Sequence, residues 1–143
     1  MRRGLKLVVL AGSAEARQIA LAARDGGAQV RALISEPPRG SDPMPVPCAL
    51  ENFTDLDPVI AALQGADVVV DASHGFDAAM SRLGAEAALR LGLPLMAYRR
   101  PAWREPLAQN DACISATLPR IHPDDRVFCA TGWASLPEWA DFQ

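Results

Sequence analysis

Short runs of apolar residues alternate along the chain with longer stretches in which apolar residues recur every three or four positions. The runs at 5–11, 28–34 and 67–72 predict buried strands, because strands covered on both faces are apolar at nearly every position. Residues 46–50 and 95–98 predict two shorter strands. Strands that alternate with helices predict an α/β fold, here a Rossmann-like, doubly wound parallel sheet in a single domain.

Three helices are expected between these strands. The first follows Gly12 and ends near Gly26, and its small apolar face comprises Ala16, Ile19, Ala20 and Ala23. The second is predicted to open with Asp57 as N-cap and Pro58 as its first helical residue. The third carries a stripe of apolar residues that comprises Phe76, Met80, Leu83, Ala87 and Leu91. Three helices of this kind supply the layers that cover such a sheet.

The pattern weakens beyond Arg99. Short strands are predicted over residues 113–115 and 126–131, and a helix is expected to begin near Ser135, with Glu138 completing a capping box. The chain shows no internal repeat and no linker, so the whole length, residues 1–143, is interpreted as one domain.

Composition narrows the class of protein. A net charge of −3 argues against a nucleic-acid-binding or membrane-surface protein, and the apolar runs are too short to cross a membrane. Cys48, Cys113 and Cys129 are widely spaced, which favours buried reduced thiols over disulfides or a metal site. We therefore expect a cytoplasmic protein without a bound metal, and its oligomeric state is open.

Ligands of open parallel sheets bind outside the carboxyl ends of the strands. The loop after the first strand contains Gly12, Ser13, Ala14 and Glu15, whose small residues and adjoining helix N-terminus suit a phosphate. The complete G-x-G-x-x-G pattern is missing, so an ordinary tight turn is an equal alternative. Glu15 is interpreted as a partner of the helix dipole.

The loop after the second strand is where a dinucleotide fold contacts the adenosine ribose. An acid there favours a free 2′-hydroxyl, whereas an arginine accommodates a 2′-phosphate. This loop offers Ser35, Glu36 and Arg39, so the residues leave NADPH and NADH both open, and the charges are alternatively only solvated.

The loop after the 67–72 strand is the richest in chemistry. It contains Ser73, His74 and Gly75 at the end of a buried strand. His74 is a candidate hydrogen-bond donor to a cofactor or substrate, or a proton source. The alternative is that it caps the next helix or bonds to neighbouring backbone. Further along, Arg100 and Trp103 belong to an arginine- and aromatic-rich segment suited to a carboxylate ligand, or to a surface stack.

These segments, in this order, resemble the precorrin-6A reductase family. Residues 11–17 are similar to its Gly-Gly-Thr-x-Glu-Ala-Arg turn, and residues 71–77 to its Asp-Ala-Thr-His-Pro-Phe-Ala segment. Residues 100–103 match its Arg-Pro-x-Trp, and residues 130–132 resemble its Thr-Thr-Gly. The likeness covers nearly the whole chain.

The resemblance implies NADPH-dependent reduction of one double bond in a tetrapyrrole that carries many carboxylates. His74 is then expected near the reacting rings, and Arg100 and Trp103 near the anionic substrate. The cofactor would be bound by Gly12, Ser13, Ala14, Glu15, Ser35, Arg39, Ser73, Gly75, Thr131 and Gly132. The resemblance also implies that members of the family are longer and have a second α/β half, so this chain would correspond to the cofactor-binding half.

The sequence departs from the family at several site positions. Gly75 stands where the family has Pro, and Asp77, which adds a negative charge, stands where it has Ala. The short length and these departures keep open a non-catalytic nucleotide-binding or regulatory module. The α/β architecture by itself also allows a third function, a flavodoxin-like signalling or flavin domain.

Overall fold

The computed structural model of this chain describes residues 4–38, 42–101 and 126. Residues Met1–Arg99 form one compact unit, and Arg100–Gln143 are grouped in a second. The first unit contains β1 (Lys6–Ala11), α1 (Ala14–Asp25), β2 (Gln29–Ile34), β3 (Cys48–Leu50), α2 (Leu56–Leu63), β4 (Val68–Ala72), α3 (Ala78–Arg90) and β5 (Leu95–Ala97). The elements predicted over 113–115, 126–131 and from Ser135 lie outside the described residues. The assignment of one domain to residues 1–143 therefore stays a prediction.

The five strands form one parallel sheet in the order β3-β2-β1-β4-β5. The chain builds outward from β1 to β3 and then returns to the other side of β1 to add β4 and β5. The strand order reverses between β1 and β4, and this is the position where sheets of this kind bind ligands. The prediction of a doubly wound, Rossmann-like sheet is confirmed.

Successive β1 side chains point to opposite faces of the sheet, so both faces are apolar. Helices cover each of them. Leu7, Val9 and Ala11 lie in a core with Ala16 and Ala20 of α1. Val8 and Leu10 lie in the other core with α2 and α3, whose buried residues include Val59, Leu63, Met80 and Leu83. A Cβ at Gly84 would overlap Leu10 Cδ1, so this glycine lets α3 pack closely on β1. The small face predicted for α1 is confirmed, and so is its end at Gly26.

The predicted start of α2 is wrong. Asp55 is the N-cap, in extended backbone conformation, and Asp57 and Pro58 are the second and third helical residues. A proline is tolerated there because the first N–H groups of a helix have no acceptor within the helix. The pair Asp57 and Pro58 therefore predicted the helix correctly but placed its N-cap at Asp57 instead of Asp55.

Three other local predictions are also wrong. Phe76 does not belong to the buried stripe of α3, since it precedes the helix and is 62% exposed. The rest of the stripe, from Met80 to Leu91, is confirmed, since Leu91 is the C-cap and packs against the core. Cys48 is exposed instead of buried, because β3 pairs only with β2 within the described sheet and all three of its residues are exposed. Its strand is also shorter than the predicted 46–50.

Candidate functional site

The turn after β1 packs directly against the loop after β4. A Cβ added at Gly12 would lie 2.8 Å from the backbone nitrogen of His74, so only glycine lets the two loops approach this closely. Ser13 joins them, since its backbone N–H and its hydroxyl both donate to the carbonyl oxygen of Ala72, at 3.2 and 2.8 Å. The fold thus brings together the two loops that the sequence singled out, at the point where strand order reverses.

Ser13 is the N-cap of α1. Its hydroxyl oxygen accepts from the N–H of Ala16 at 3.2 Å, while its proton is donated to Ala72. The side chain therefore holds the loops in place, and its predicted contact with a cofactor stays a prediction. Glu15 lies in the first turn of the helix, where a negative charge is favoured by the helix dipole.

The residues at this turn fit a dinucleotide phosphate. Gly12 and Ala14 are exposed and have no side chain larger than a methyl group, so a phosphate can reach the backbone at the first turn of α1. In the neighbouring loop, a Cβ added at Gly75 would have no atom within 4 Å, so the space beside His74 is open.

His74 is exposed and is held by its own loop. The backbone N–H of Phe76 donates to Nδ1 at 3.3 Å, and the two rings lie 5.6 Å apart with an interplanar angle of 34°. This is the bond to neighbouring backbone that the sequence allowed as the alternative. This bond leaves His74 able to donate to a ligand, because a neutral imidazole that accepts at Nδ1 carries its proton on Nε2. His74 can therefore present an N–H donor.

Asp71 is a site residue that the sequence reasoning missed. Its side chain is 1% exposed; Oδ1 accepts from the N–H of Ser73 at 3.1 Å, and Oδ2 accepts from Arg99 Nη2 at 2.9 Å. Burial raises the pKa of this carboxyl, but hydrogen bonds from Ser73, Arg99 and Ser81 outweigh it and hold the pKa below the ordinary value. An acid inside the otherwise apolar run 68–72 was the signal that could have found it.

Ser73 is buried beside Asp71, and its hydroxyl shares a hydrogen bond of 2.8 Å with the hydroxyl of Ser81 in α3. Its backbone and side chain are thus both bonded within the protein. Like Ser13, it positions the loop, and a contact between Ser73 and the cofactor stays a prediction.

Ser35 and Asp77 form a second connection that the sequence did not reveal. The hydroxyl of Ser35, directly after β2, donates to Asp77 Oδ2 at 2.6 Å. Asp77 is also the N-cap of α3, since its Oδ1 accepts from the N–H of Met80 at 3.0 Å. The loop after β4 therefore reaches past β1 to the end of β2 and places a carboxylate there.

The described part of the first unit thus brings its predicted site residues together at the carboxyl ends of the strands. They are Gly12, Ser13, Ala14, Glu15, Ser35, Ser73, His74 and Gly75. Arg39, Trp103, Thr131 and Gly132 lie outside the described residues, so their predicted roles are untested. Arg100 is exposed and belongs to the second unit.

The rest of the described chain adds no competing site. A cleft of about 280 Å³ lies at the opposite, amino-terminal edge of the sheet, beside Lys6, Gln29 and Gly65. Arg31, which lines this cleft, donates to the carbonyl oxygens of Ala62 and Gln64. Its guanidinium group thereby binds the C-terminal end of α2. No cluster of three metal-ligating side chains occurs among residues 4–38, 42–101 and 126. Within those same ranges, no helix is long and apolar enough to span a membrane.

Comparison with known proteins places the chain beside a group of reductases. Residues 6–143 match the family described as precorrin-6x reductase CbiJ/CobK. A precorrin-6A reductase of Rhodococcus erythropolis is 32% identical over 146 residues, which cover 96% of this chain and 58% of that protein. A precorrin-6A reductase of a Sinorhizobium species is 33% identical over 138 residues, covering 89% of this chain and 51% of the relative. The chain therefore spans about half the length of these relatives.

A solved structure shares the fold as well. The structure titled CobK precorrin-6A reductase superposes with a TM-score of 0.64 at 27% sequence identity, over 71% of this chain and 41% of that one. The resemblance found from the sequence motifs is thus confirmed by relatives in both sequence and structure.

Proposed function

Because the chain belongs to the precorrin-6x reductase CbiJ/CobK family, we propose that it provides the nucleotide-binding part of a reductase in cobalamin biosynthesis. The proposed reaction is the NADPH-dependent reduction of one double bond of precorrin-6A, a tetrapyrrole that carries many carboxylates. We also propose that the protein acts in the cytoplasm on a small-molecule substrate.

The observation that carries the proposal is the contact between Gly12 and His74. It joins the turn suited to a phosphate and the loop with the candidate donor, and it lies where the strand order reverses. A dinucleotide that extends across this edge would contact both loops. Gly12 and Ala14 would let the pyrophosphate approach the backbone, and Gly75 would leave room for a ring beside His74.

A bound nicotinamide would supply the hydride, and this chain's residues would orient it and tune its surroundings. His74 would donate from Nε2 to a polar atom of the cofactor or substrate. Ser13, Ser73 and Asp71 would hold the two loops in register through the hydrogen bonds described above. Arg100 and Trp103 are proposed to bind the carboxylates and apolar surface of the macrocycle.

Titration of the protein with NADPH and NADH tests the cofactor proposal, with nicotinamide fluorescence and calorimetry as readouts. Saturable binding is expected, and it should be weakened by Gly12→Val, whose side chain would meet the His74 backbone. Absence of binding by both nucleotides would refute the proposal.

Turnover of precorrin-6A by the same protein tests the reductase activity. Nucleotide oxidation that depends on precorrin-6A is the expected result. Nucleotide binding without turnover would instead favour a non-catalytic nucleotide-binding module, and flavin absorbance in the purified protein would favour a flavin domain.

A further inference from the structure

His74, Gly75, Phe76 and Asp77 form a β-turn between β4 and α3. The backbone N–H of Asp77 donates to the carbonyl oxygen of His74 at 2.9 Å, and this is the bond that closes a four-residue turn. Among the described residues, positive φ angles occur only at glycines, and Gly75 is not one of them. The two central residues therefore fit a type I turn, which needs no positive φ. The position of His74 is thereby coupled to that of Asp77.

The carboxylate of Asp77 fixes the end of this turn on two sides. Oδ1 accepts from the N–H of Met80 at 3.0 Å and so caps the first turn of α3. Oδ2 accepts the hydroxyl proton of Ser35 at 2.6 Å, which ties the turn to the end of β2. One side chain therefore fastens the turn to a helix and to the sheet.

The other residues of the turn contribute little anchoring of their own. His74 and Phe76 are exposed, and the Phe76 side chain lies outside both hydrophobic cores of the described sheet. A Cβ added at Gly75 would meet no atom within 4 Å, so packing does not restrict the backbone of this glycine. The loop is held at its start by the hydrogen bonds of Ser73, and Asp77 holds its end.

We infer that Asp77 is a positioning residue for His74: by fixing the end of the turn, it keeps the imidazole in one place at the carboxyl ends of the strands. The inference rests on the proposed function, in which His74 donates to the cofactor or the substrate. Asp77 acts through His74 and need not touch either of them. A donor displaced by about 1 Å can lower a rate by about 100-fold, so a loose turn would reduce kcat.

Three substitutions separate the bonds of Asp77 from its charge. Asp77→Ala removes the bonds to Met80 and Ser35 together with the charge. Asp77→Asn removes only the charge, because its oxygen can accept from the Met80 N–H and its amide can donate to the Ser35 hydroxyl. Ser35→Ala breaks only the tie to β2, so it keeps the inference testable if Asp77→Ala folds poorly. Circular dichroism checks that each variant is folded.

Gly75→Pro provides a rescue that does not use the carboxylate. Proline is favoured at the second position of a type I turn because its ring fixes φ near about −65°. The space beside Gly75 is open, so a side chain can be accommodated there. Combined with Asp77→Ala, this substitution should restrict the turn again. Such a rescue is not expected if Asp77 acts through its charge or by direct contact with a ligand.

NMR relaxation of the backbone N–H groups at residues 75–77 measures the order of the turn without cofactor or substrate. We expect order parameters of about 0.85 in the wild-type protein and in Asp77→Asn, and values below about 0.6 in Asp77→Ala. Ser35→Ala should give values between these limits. The double variant with Gly75→Pro should restore the Phe76 N–H to about 0.85.

Steady-state turnover and NADPH titration test whether this order matters for the reaction. Asp77→Ala should lower kcat by about tenfold or more, while the dissociation constant of NADPH changes by less than about threefold. Asp77→Asn should keep both values, and Gly75→Pro should restore kcat in the double variant. The matched control is Asp55→Ala, since Asp55 is the N-cap of α2 and its side chain makes no capping bond. It should change neither value.

The outcomes separate this inference from the proposed function. An ordered turn and an unchanged kcat in both Asp77→Ala and Ser35→Ala would show that the inference is wrong and leave the proposed function standing. Equal losses in Asp77→Asn and Asp77→Ala would assign the effect to charge, and NADPH binding that falls as much as kcat would assign Asp77 to the nucleotide site. Either result overturns the inference. If the wild-type protein neither binds NADPH nor turns over, the proposed function fails, and the order of the turn alone decides whether Asp77 positions His74.

Discussion

Arg99 Nη2 lies 2.9 Å from Asp71 Oδ2, and this ion pair joins a buried carboxylate to an arginine side chain that is still 58% exposed. A backbone hydrogen bond joins the same two segments: the N–H of Tyr98 donates to the carbonyl oxygen of Asp71 at 2.8 Å. The other carboxylate oxygen accepts from the N–H of Ser73. Asp71 thereby fixes both the start of the His74 loop and the end of β5, from which the chain continues to Arg100.

Asp71→Asn should destabilise the fold. The amide nitrogen would face Arg99 donor to donor in a buried position, while the bond from the Ser73 N–H could persist through the amide oxygen. Because Arg99 is largely exposed and can be solvated, we expect a loss of about 1–2 kcal/mol in the free energy of unfolding. Urea denaturation followed by circular dichroism measures it.

Glu86→Gln provides the matched control. Its ion pair with Arg90 spans one helical turn, and both side chains are largely exposed, at 40% and 62%. Such pairs contribute about 0.3–0.5 kcal/mol, so this variant should be nearly as stable as the wild-type protein. Equal losses for both substitutions would show that the burial of Asp71 gives its ion pair no special weight.

The Asp71 carboxyl should also make stability depend on pH. Its pKa in the folded protein lies below the ordinary value of 3.8, so it stabilises the fold fully above that value. The contribution is lost as the pH falls below 3.8 and through the folded pKa, where the carboxyl becomes protonated. Unfolding free energies measured in this acid range should show a smaller slope for Asp71→Asn. Identical slopes would contradict the lowered pKa.

Gly12→Ala should disturb the site from within the fold. The added methyl would lie 2.8 Å from the His74 backbone nitrogen, which cannot move aside by rotating a side chain. A cost of about 1–3 kcal/mol is expected from such a clash, together with weaker nucleotide binding. Thermal unfolding and NADPH titration provide the measurements.

Gly75→Ala tests whether any added methyl in these loops has the same effect. A Cβ there meets no atom within 4 Å, and its φ is not among the positive values of the described glycines. We expect stability to be unchanged or to rise by up to about 1 kcal/mol. A loss comparable to that of Gly12→Ala would contradict the close contact between the two loops.

His74→Ala should impair turnover more than it weakens NADPH binding, because the loop is proposed to face the reacting rings. A loss of about 100-fold or more in kcat is expected if the imidazole transfers a proton. His74→Gln distinguishes the roles, since its amide retains a hydrogen-bond donor but cannot transfer a proton. Equal loss of NADPH affinity would instead assign His74 to the nucleotide site.

The sequence by itself determined the elements and the loops worth examining. Apolar runs identified the strands, and polar residues directly after them identified the turn at Gly12 and the loop at His74. These signals are reliable because hydrophobic periodicity and turn chemistry act over a few neighbouring residues. The same local signals misplaced the start of α2. Asp57 and Pro58 suit an N-cap and the first helical position, but they are also tolerated as the second and third residues of a helix, which is where they lie.

Only the tertiary structure decided which loops meet. The order β3-β2-β1-β4-β5 places β4 beside β1, and this brings Gly12 within reach of His74. The bond between Ser35 and Asp77 and the ion pair between Asp71 and Arg99 join residues 42 and 28 positions apart. Such contacts depend on strand order and register, which arise from packing of the whole sheet and leave no local pattern in the chain.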